Sequence, residues 1–306
     1  MEAYMNNEKT STKEEKKILS PKLDVIFQIL FGEVGSERIT KDLLNTVLDE
    51  RVEDIDLNEN IVLREEEPNE KRGVVDVLAK INGNEYCNIE MQLVDKKNII
   101  KRLLFYWSKQ YIKGIKKAEN YKELKRTIVI LIADFELERL EKLGFHSKWQ
   151  IIESKWRKIV LTDDLEIHII QLPKINERKV EGKEQKLKEW LEFLENPDSK
   201  EVLNYMNENK NMKEAKEKLN TMSEDERIRK LAELREKAIL DEKEAEYTGY
   251  CKGEEAGLKK GRIEGREMGI KDATKNIARN MKEKGIDIKT IMEVTNLSKQ
   301  DIEELN

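Results

Sequence analysis

Apolar side chains recur along this chain first at a helical spacing, then at a strand spacing, then at a helical spacing again. Residues 1–19 are rich in Glu, Lys, Asn and Thr and offer little to bury, so they read as a disordered leader. Ser20-Pro21 suits a helix start, with Ser as cap and Pro in the first turn. Leu23, Ile26, Phe27, Leu30 and Phe31 then follow at helical spacing up to Gly32. A second helix is expected after Ser36, with Ile39, Leu43, Leu44, Val47 and Leu48 on one face. From Val52 to Glu67 the pattern turns strand-like through Ile55, Leu57, Ile61 and Leu63.

A hairpin comes next. Val74, Val75, Val77, Leu78 and Ile81 supply one strand, and Tyr86, Ile89, Met91 and Leu93 the other. Asn82-Gly83-Asn84 between them is a strong signal for a tight turn. Asp95 to Lys117 returns to helical spacing, with Ile99, Ile100, Leu103, Leu104, Trp107, Tyr111 and Ile115 as its apolar stripe. The run from Arg126 to Phe135 is continuously apolar over strand length, which describes a strand buried on both faces of a central sheet. Two further strands are expected at Trp149–Glu153 and Leu165–Leu172, and Pro173 closes the domain. This order of hairpin, helix and buried strand predicts an α/β or α+β domain with a mixed sheet.

After about Asn176 the sequence becomes helical and charge-laced. Trp190, Leu191, Phe193 and Leu194 form one packing patch, and Leu231, Leu234, Ile239 and Leu240 another. Gly249, Gly253, Gly257, Gly261, Gly265 and Gly269 then recur at every fourth position, six of the chain's 14 glycines. Each glycine inside a helix costs about 1 kcal/mol relative to alanine, so the series needs a compensating reason. A groove of small residues that admits a second helix supplies one and predicts a homodimer through the C-terminal helices. A flexible linker is the alternative. Thr274 to Leu305 reads as short helices broken at Gly285 and near Asn296-Leu297-Ser298, with Ser298 capping the last. A helix-turn-helix and a small self-association bundle both fit this segment, and its loose spacing does not favour the helix-turn-helix.

Composition narrows the classes. Of the 306 residues 38% are hydrophobic and 40% charged, which favours a compact domain plus solvated helices. A net charge of −5 does not mark a nucleic-acid binder as a whole, so any basic surface must be local. No apolar run is long enough to span a membrane and the first residues lack a signal peptide's apolar core, so a cytoplasmic protein is expected. Cys87 and Cys251 have no metal-site spacing and fit a reducing compartment. His146 and His168 do not form a ligand pair by spacing and read as structural.

The candidate chemistry lies in the hairpin. Asp76 and Glu90 each stand among apolar neighbours on adjacent strands, and antiparallel pairing can bring them together. Two carboxylates held close in an apolar setting repel, and a divalent cation such as Mg2+ resolves the conflict. The backbone carbonyl of Met91 is a further expected ligand, and Gln92 is expected to orient a water or meet a phosphate. The following helix carries Lys96, Lys97, Lys101, Arg102, Lys109, Lys113, Lys116 and Lys117 against the single acid Asp95. Such a face can neutralise DNA phosphates, with Lys97, Lys101, Arg102, Tyr106, Lys109 and Lys113 as the candidate contacts. The pattern fits metal-dependent phosphodiester hydrolysis. An ordinary solvated lysine face beside two partly exposed surface acids is the alternative. Asp24, near the start of its helix, reads on physical grounds as a partner of the helix dipole.

Several segments together resemble the Rpn (recombination-promoting nuclease/putative transposase) family of the PD-(D/E)xK nuclease superfamily. They are Lys22-Leu-Asp24-Val-Ile-Phe27-Gln-Ile-Leu30-Phe31-Gly32, Val75-Asp76-Val77, Asn88-Ile-Glu90-Met-Gln92, Arg102-Leu-Leu-Phe-Tyr106-Trp-Ser, Gly114 with Tyr121, and Leu172-Pro-Lys174. The order of these motifs over residues 20–175 is more specific than any one of them. The resemblance implies a restriction-endonuclease-like α/β fold, a mixed sheet flanked by helices, over 20–175. A mostly helical region would follow over 176–306, with the glycine helix at 249–269 and a small terminal helical segment. It implies magnesium-dependent cleavage of double-stranded DNA, with Asp76 and Glu90 as metal ligands and Asp24 as an accessory acid. Gln92 stands where the wider superfamily often has Lys. A catalytically degenerate relative that binds DNA or oligomerises is the second reading, and RNA as substrate is a third.

Overall fold

Burying the 127–135 run requires a sheet covered on both faces, and the computed structural model, which describes residues 17–57, 76–115 and 119–305, has this arrangement. Most of the leader, the strand-like positions Ile61 and Leu63, Val74 and Val75, and Lys116 and Lys117 lie outside the described residues. The described strands form one six-stranded mixed sheet in the order β1-β2-β3-β4-β6-β5. They are β1 (Ile55–Asp56), β2 (Val77–Ile81), β3 (Glu85–Gln92), β4 (Thr127–Ala133), β5 (His146–Gln150) and β6 (Leu165–Gln171). β3, β4 and β6 run parallel at the centre, and the outer pairs are antiparallel. This is the restriction-endonuclease-like α/β architecture expected from the sequence.

Every residue of β4 is buried, and alternation divides them between two cores. Ile128, Ile130 and Ile132 join Val77, Ala79, Ile89 and Met91 beneath α1 (Asp24–Gly32), α2 (Glu37–Val47), α4 (Gly182–Glu195) and α6 (Lys210–Glu224). Phe27, Phe31 and Trp190 stack in that layer, with Phe31 and Trp190 ring centres 6.0 Å apart. Val129, Leu131 and Ala133 face the opposite way, toward Ile99 and Leu103 of α3 (Ile99–Lys113). A short helix, α5 (Lys200–Tyr205), adds Val202 to the larger core.

Several sequence expectations are corrected. α1 begins at Asp24, capped by Leu23 without a side-chain bond, because Ser20 and Pro21 are spent in a turn closed by Leu23 N–H on the Ser20 carbonyl at 3.2 Å. α3 starts only at Ile99, since Lys97 takes a left-handed φ of 44° that a helix cannot contain. Its buried stripe is narrow: Ile99 and Leu103 are covered, whereas Ile100 and Leu104 are exposed. The strand expected at Trp149–Glu153 is shifted to His146–Gln150, where it pairs with β6. Of the expected second patch only Ile239 is buried, together with Ala232, whereas Leu231, Leu234 and Leu240 are exposed.

The chain divides into two compact units, Met1–Ile239 and Leu240–Asn306, with α7 (Glu226–Glu283) contributing to both. The six spaced glycines all lie within α7 and are helical. In the second unit α8 (Ile288–Thr295) and α9 (Lys299–Glu303) pack Ile291 and Ile302 against Ala278 of α7. Gly285 and Asn296 adopt left-handed φ values of 75° and 54° at the two breaks. Ser298 caps α9 in a reciprocal box with Asp301. Lys282 Nζ donates to the carbonyls of Ile302, Glu303 and Leu305 and closes the end of α9. Among the described residues no helix is long and apolar enough to cross a membrane.

Candidate active site

The hairpin forms as its turn residues dictate. Asn82 and Gly83 have φ values of 50° and 73°, and Asn84 N–H donates to the Ile81 carbonyl at 3.1 Å, as in a type I′ turn. Pairing then runs from Ile81 with Glu85 to Val77 with Ile89. One further step of that register sets Asp76 opposite Glu90. Because Val77, Ile89 and Met91 face the larger core, Asp76 and Glu90 face the α3 side.

Both acids are removed from water, Glu90 completely (0% exposed) and Asp76 nearly so (8%). They are therefore not the partly exposed surface acids of the alternative reading. Asp76 Oδ2 accepts the Met91 backbone N–H at 2.6 Å. Glu90 Oε2 meets Arg102 Nη2 and Gln92 Nε2, each at 3.4 Å, and Glu90 Oε1 meets Asn88 Nδ2 at 3.4 Å. Burial, and then the nearby Glu90, hold Asp76 well above the usual carboxylate range, while the Met91 N–H pulls the other way. Burial pushes Glu90 up to about 7, against the opposing charge of Arg102 and the Asn88 amide.

α3 supplies the wall. Arg102 and Tyr106 are one turn apart on it, and the guanidinium lies over the Tyr106 ring, 5.5 Å from its centre. Lys109 and Lys113 continue the same helical stripe, with Lys113 exposed. Lys101 is exposed on an adjoining face, and Lys97 stands in the loop before the helix with its N–H on Asp95. Thus Arg102, with Tyr106 beneath it, joins Glu90. Asp24 adds its charge to the field at Asp76, but its own carboxylate pairs with Arg235 Nε at 2.7 Å. That bond joins α1 to α7 across more than two hundred residues, and no sequence spacing announces it. Asn88 was also missed as a neighbour of the acids, although Asn88, Glu90 and Gln92 at alternate positions of one strand are the pattern that places it there.

Among the described residues no group of three or more His, Cys, Asp or Glu side chains converges on one point. Two buried carboxylates still form a hard oxygen donor set, which suits an ion such as magnesium that keeps several of its waters. The buried Asn88 Oδ1, an acceptor with no partner among the described residues, adds a second oxygen beside Glu90 suited to a cation or its waters. The residues present therefore fit a divalent cation. The histidines belong elsewhere: His146 Nε2 meets His168 Nδ1 at 2.9 Å, and His168 Nε2 meets Glu166 Oε1 at 2.7 Å. His168 and Glu166 share a sheet face with Ile170, in the larger core and opposite the acids, and they are satisfied structural residues.

A family model described as PD-(D/E)XK nuclease family transposase matches residues 21–248. The chain belongs to this PD-(D/E)XK nuclease family. A second model, the C-terminal HTH domain of the Rpn/YhgA-like nuclease family, matches residues 271–306. No curated protein and no solved structure matches the chain. The two models agree with the Rpn resemblance read from the sequence and support a nuclease and DNA-binding role. The second match favours the helix-turn-helix alternative for the last segment. The two breaks in that segment rest on left-handed residues, Gly285 and Asn296. In this PD-(D/E)XK chain the hairpin acids and the helix-turn-helix fall in separate matched segments.

Proposed function

We propose that the chain is a magnesium-dependent endonuclease that hydrolyses phosphodiester bonds of double-stranded DNA. The observation that carries this reading is the burial of Asp76 and Glu90 on one sheet face, beside Arg102 and Tyr106 of a basic helix. Asp76 and Glu90 would hold the ion, with the Met91 carbonyl as a further oxygen donor. A divalent ion bound there lowers the pKa of an attacking water and neutralises charge developing on the phosphate. Gln92 orients that water or the phosphate through its amide. Arg102, Tyr106, Lys109 and Lys113 line the path of the DNA backbone, with Lys97 and Lys101 at its margin. Asp24, braced by Arg235, acts as an accessory acid through its field at Asp76. The nuclease module is built on residues 20–175, with α4, α5 and α6 completing its core, and the later helices carry assembly and the segment matched as a helix-turn-helix. The spaced glycines of α7 pair two chains into a homodimer. Cytoplasmic action on DNA in recombination, or in mobile-element or defence biology, fits this set of parts.

Plasmid cleavage in magnesium by the wild type, Asp76→Ala and Glu90→Gln tests the reading. Loss of nicking in both variants is expected, and equal nicking by all three would sink it. A second reading, a nuclease fold that binds DNA without cutting it, is favoured by the separate helix-turn-helix match and by the engagement of Asp24 with Arg235. Tight DNA binding with no magnesium-dependent cleavage by the wild type would select it.

A further inference from the structure

Among the described residues Arg102 is the cation in contact with the buried Glu90, and its contact is loose. It reaches Glu90 through one Nη2 at 3.4 Å, whereas a guanidinium that is firmly committed to a carboxylate binds by two parallel bonds at roughly 2.7–2.9 Å. Its Nε is buried and has no partner among the described residues, so part of the fork is unused inside the site. The Tyr106 ring beneath it offers a flat surface on which the guanidinium can turn and keep its attraction to the ring.

The charges point the same way. With no metal, Arg102 is the counter-ion in contact with Glu90. A divalent ion on Asp76 and Glu90 matches both carboxylates, and a guanidinium left beside it is then repelled. The single negative charge of a phosphodiester matches the freed guanidinium, and the planar fork suits phosphate oxygens. We infer that Arg102 is a counter-ion shared in turn by Glu90 and the substrate: it holds Glu90 in the metal-free protein and swings to the phosphate being cut once the carboxylates take a metal ion. This rests on the nuclease reading and adds a role that mere backbone contact would not require.

The test pairs manganese titration calorimetry on the full chain with plasmid cleavage, for wild type, Arg102→Gln and Arg102→Lys. Loss of the competing charge should tighten manganese binding in Arg102→Gln by about fivefold. Cleavage by the same variant should fall by about 100-fold, as when one charge-stabilising donor is removed. Arg102→Lys should keep wild-type metal affinity but cut more slowly, because an ammonium lacks the fork. If Arg102→Gln binds manganese no more tightly than wild type, Arg102 is a brace for Glu90 and the inference fails. If it cuts as fast as wild type, Arg102 does not reach the phosphate, and the inference fails as well. Should Arg102→Gln not fold, Arg102→Lys decides, and a parallel loss of metal affinity and cleavage overturns the idea. A wild type that neither binds manganese nor cuts removes the nuclease reading and this inference together. A wild type that cuts leaves that reading standing whatever Arg102 does.

Discussion

Asp76 is bonded to the strand of its partner acid, its Oδ2 accepting the Met91 backbone N–H at 2.6 Å. The bond favours the charged form of Asp76 but does not offset its burial or the closeness of Glu90, so both carboxyls stay raised. The site therefore holds unfavourable charge that a cation can relieve.

That charge gives a pH dependence of definite sign. The folded pKa values lie above the unfolded ones, so the pair's contribution is most favourable at low pH and is lost as pH rises toward and through about 7. Metal-free Glu90→Gln should be more stable than wild type at pH 8 by about 1–3 kcal/mol, with the gap closing near pH 4. Urea unfolding at the two pH values measures this, and magnesium should narrow the gap at pH 8 by stabilising wild type. A variant no more stable than wild type at pH 8 would contradict the account.

Lys174 is buried, and its Nζ donates to the carbonyls of Leu140, Glu141 and Leu143. Lys174→Met would leave three carbonyls without that donor. A loss of about 3 kcal/mol is expected in urea unfolding. A loss below about 1 kcal/mol would mean that water replaces the ammonium there.

The Glu166–His168–His146 chain acts in the opposite pH direction. Burial, then His168, lowers His146 to about 4, so the stability it contributes is complete above about 6.5 and drains as pH falls toward 4. Burial works against an ionised Glu166, but its bonds to His168 and Lys148 bring it down to about 2, and its share drains between about 4.5 and 2. Glu166→Gln should lose about 2 kcal/mol at pH 7 and unfold with a shallower slope below pH 4.5. An unchanged slope would show that Glu166 is not the group titrating there.

Much of this fold is legible from local signals, because those signals are strong. Asn82-Gly83 satisfies a turn that needs two left-handed residues, and the apolar run at 127–135 has no exposed face to offer. The basic helix was less legible. Its period alone counts Ile100 and Leu104 as core, yet α3 rests on the sheet along a single edge, and Lys97 delays its start. The geometry around Asp76 and Glu90 follows from strand alternation, whereas Arg235 on Asp24 arises from a contact between distant segments. Leu231, Leu234 and Leu240 mislead for the same reason: which face of a long helix is covered depends on what packs against it.

A Cβ added at any of the six spaced glycines of α7 would meet nothing within 4 Å, so nothing among the described residues requires glycine there. A second copy packed along that face would give them a reason. Light scattering should show a dimer for the full chain and a monomer after truncation before Thr248, with Gly257→Leu weakening the association. A truncated chain that keeps the dimer's mass would refute this pairing.

The three-residue turn at Asn82-Gly83-Asn84 governs parity as well as direction. Side chains alternate along both arms, so one residue inserted into the turn would slip the pairing by a step and could no longer set Asp76 against Glu90 on the same face. The turn lies about 17 Å along the strand from those acids. The length of a loop well away from both acids thereby decides whether two unaltered carboxylates meet on one face.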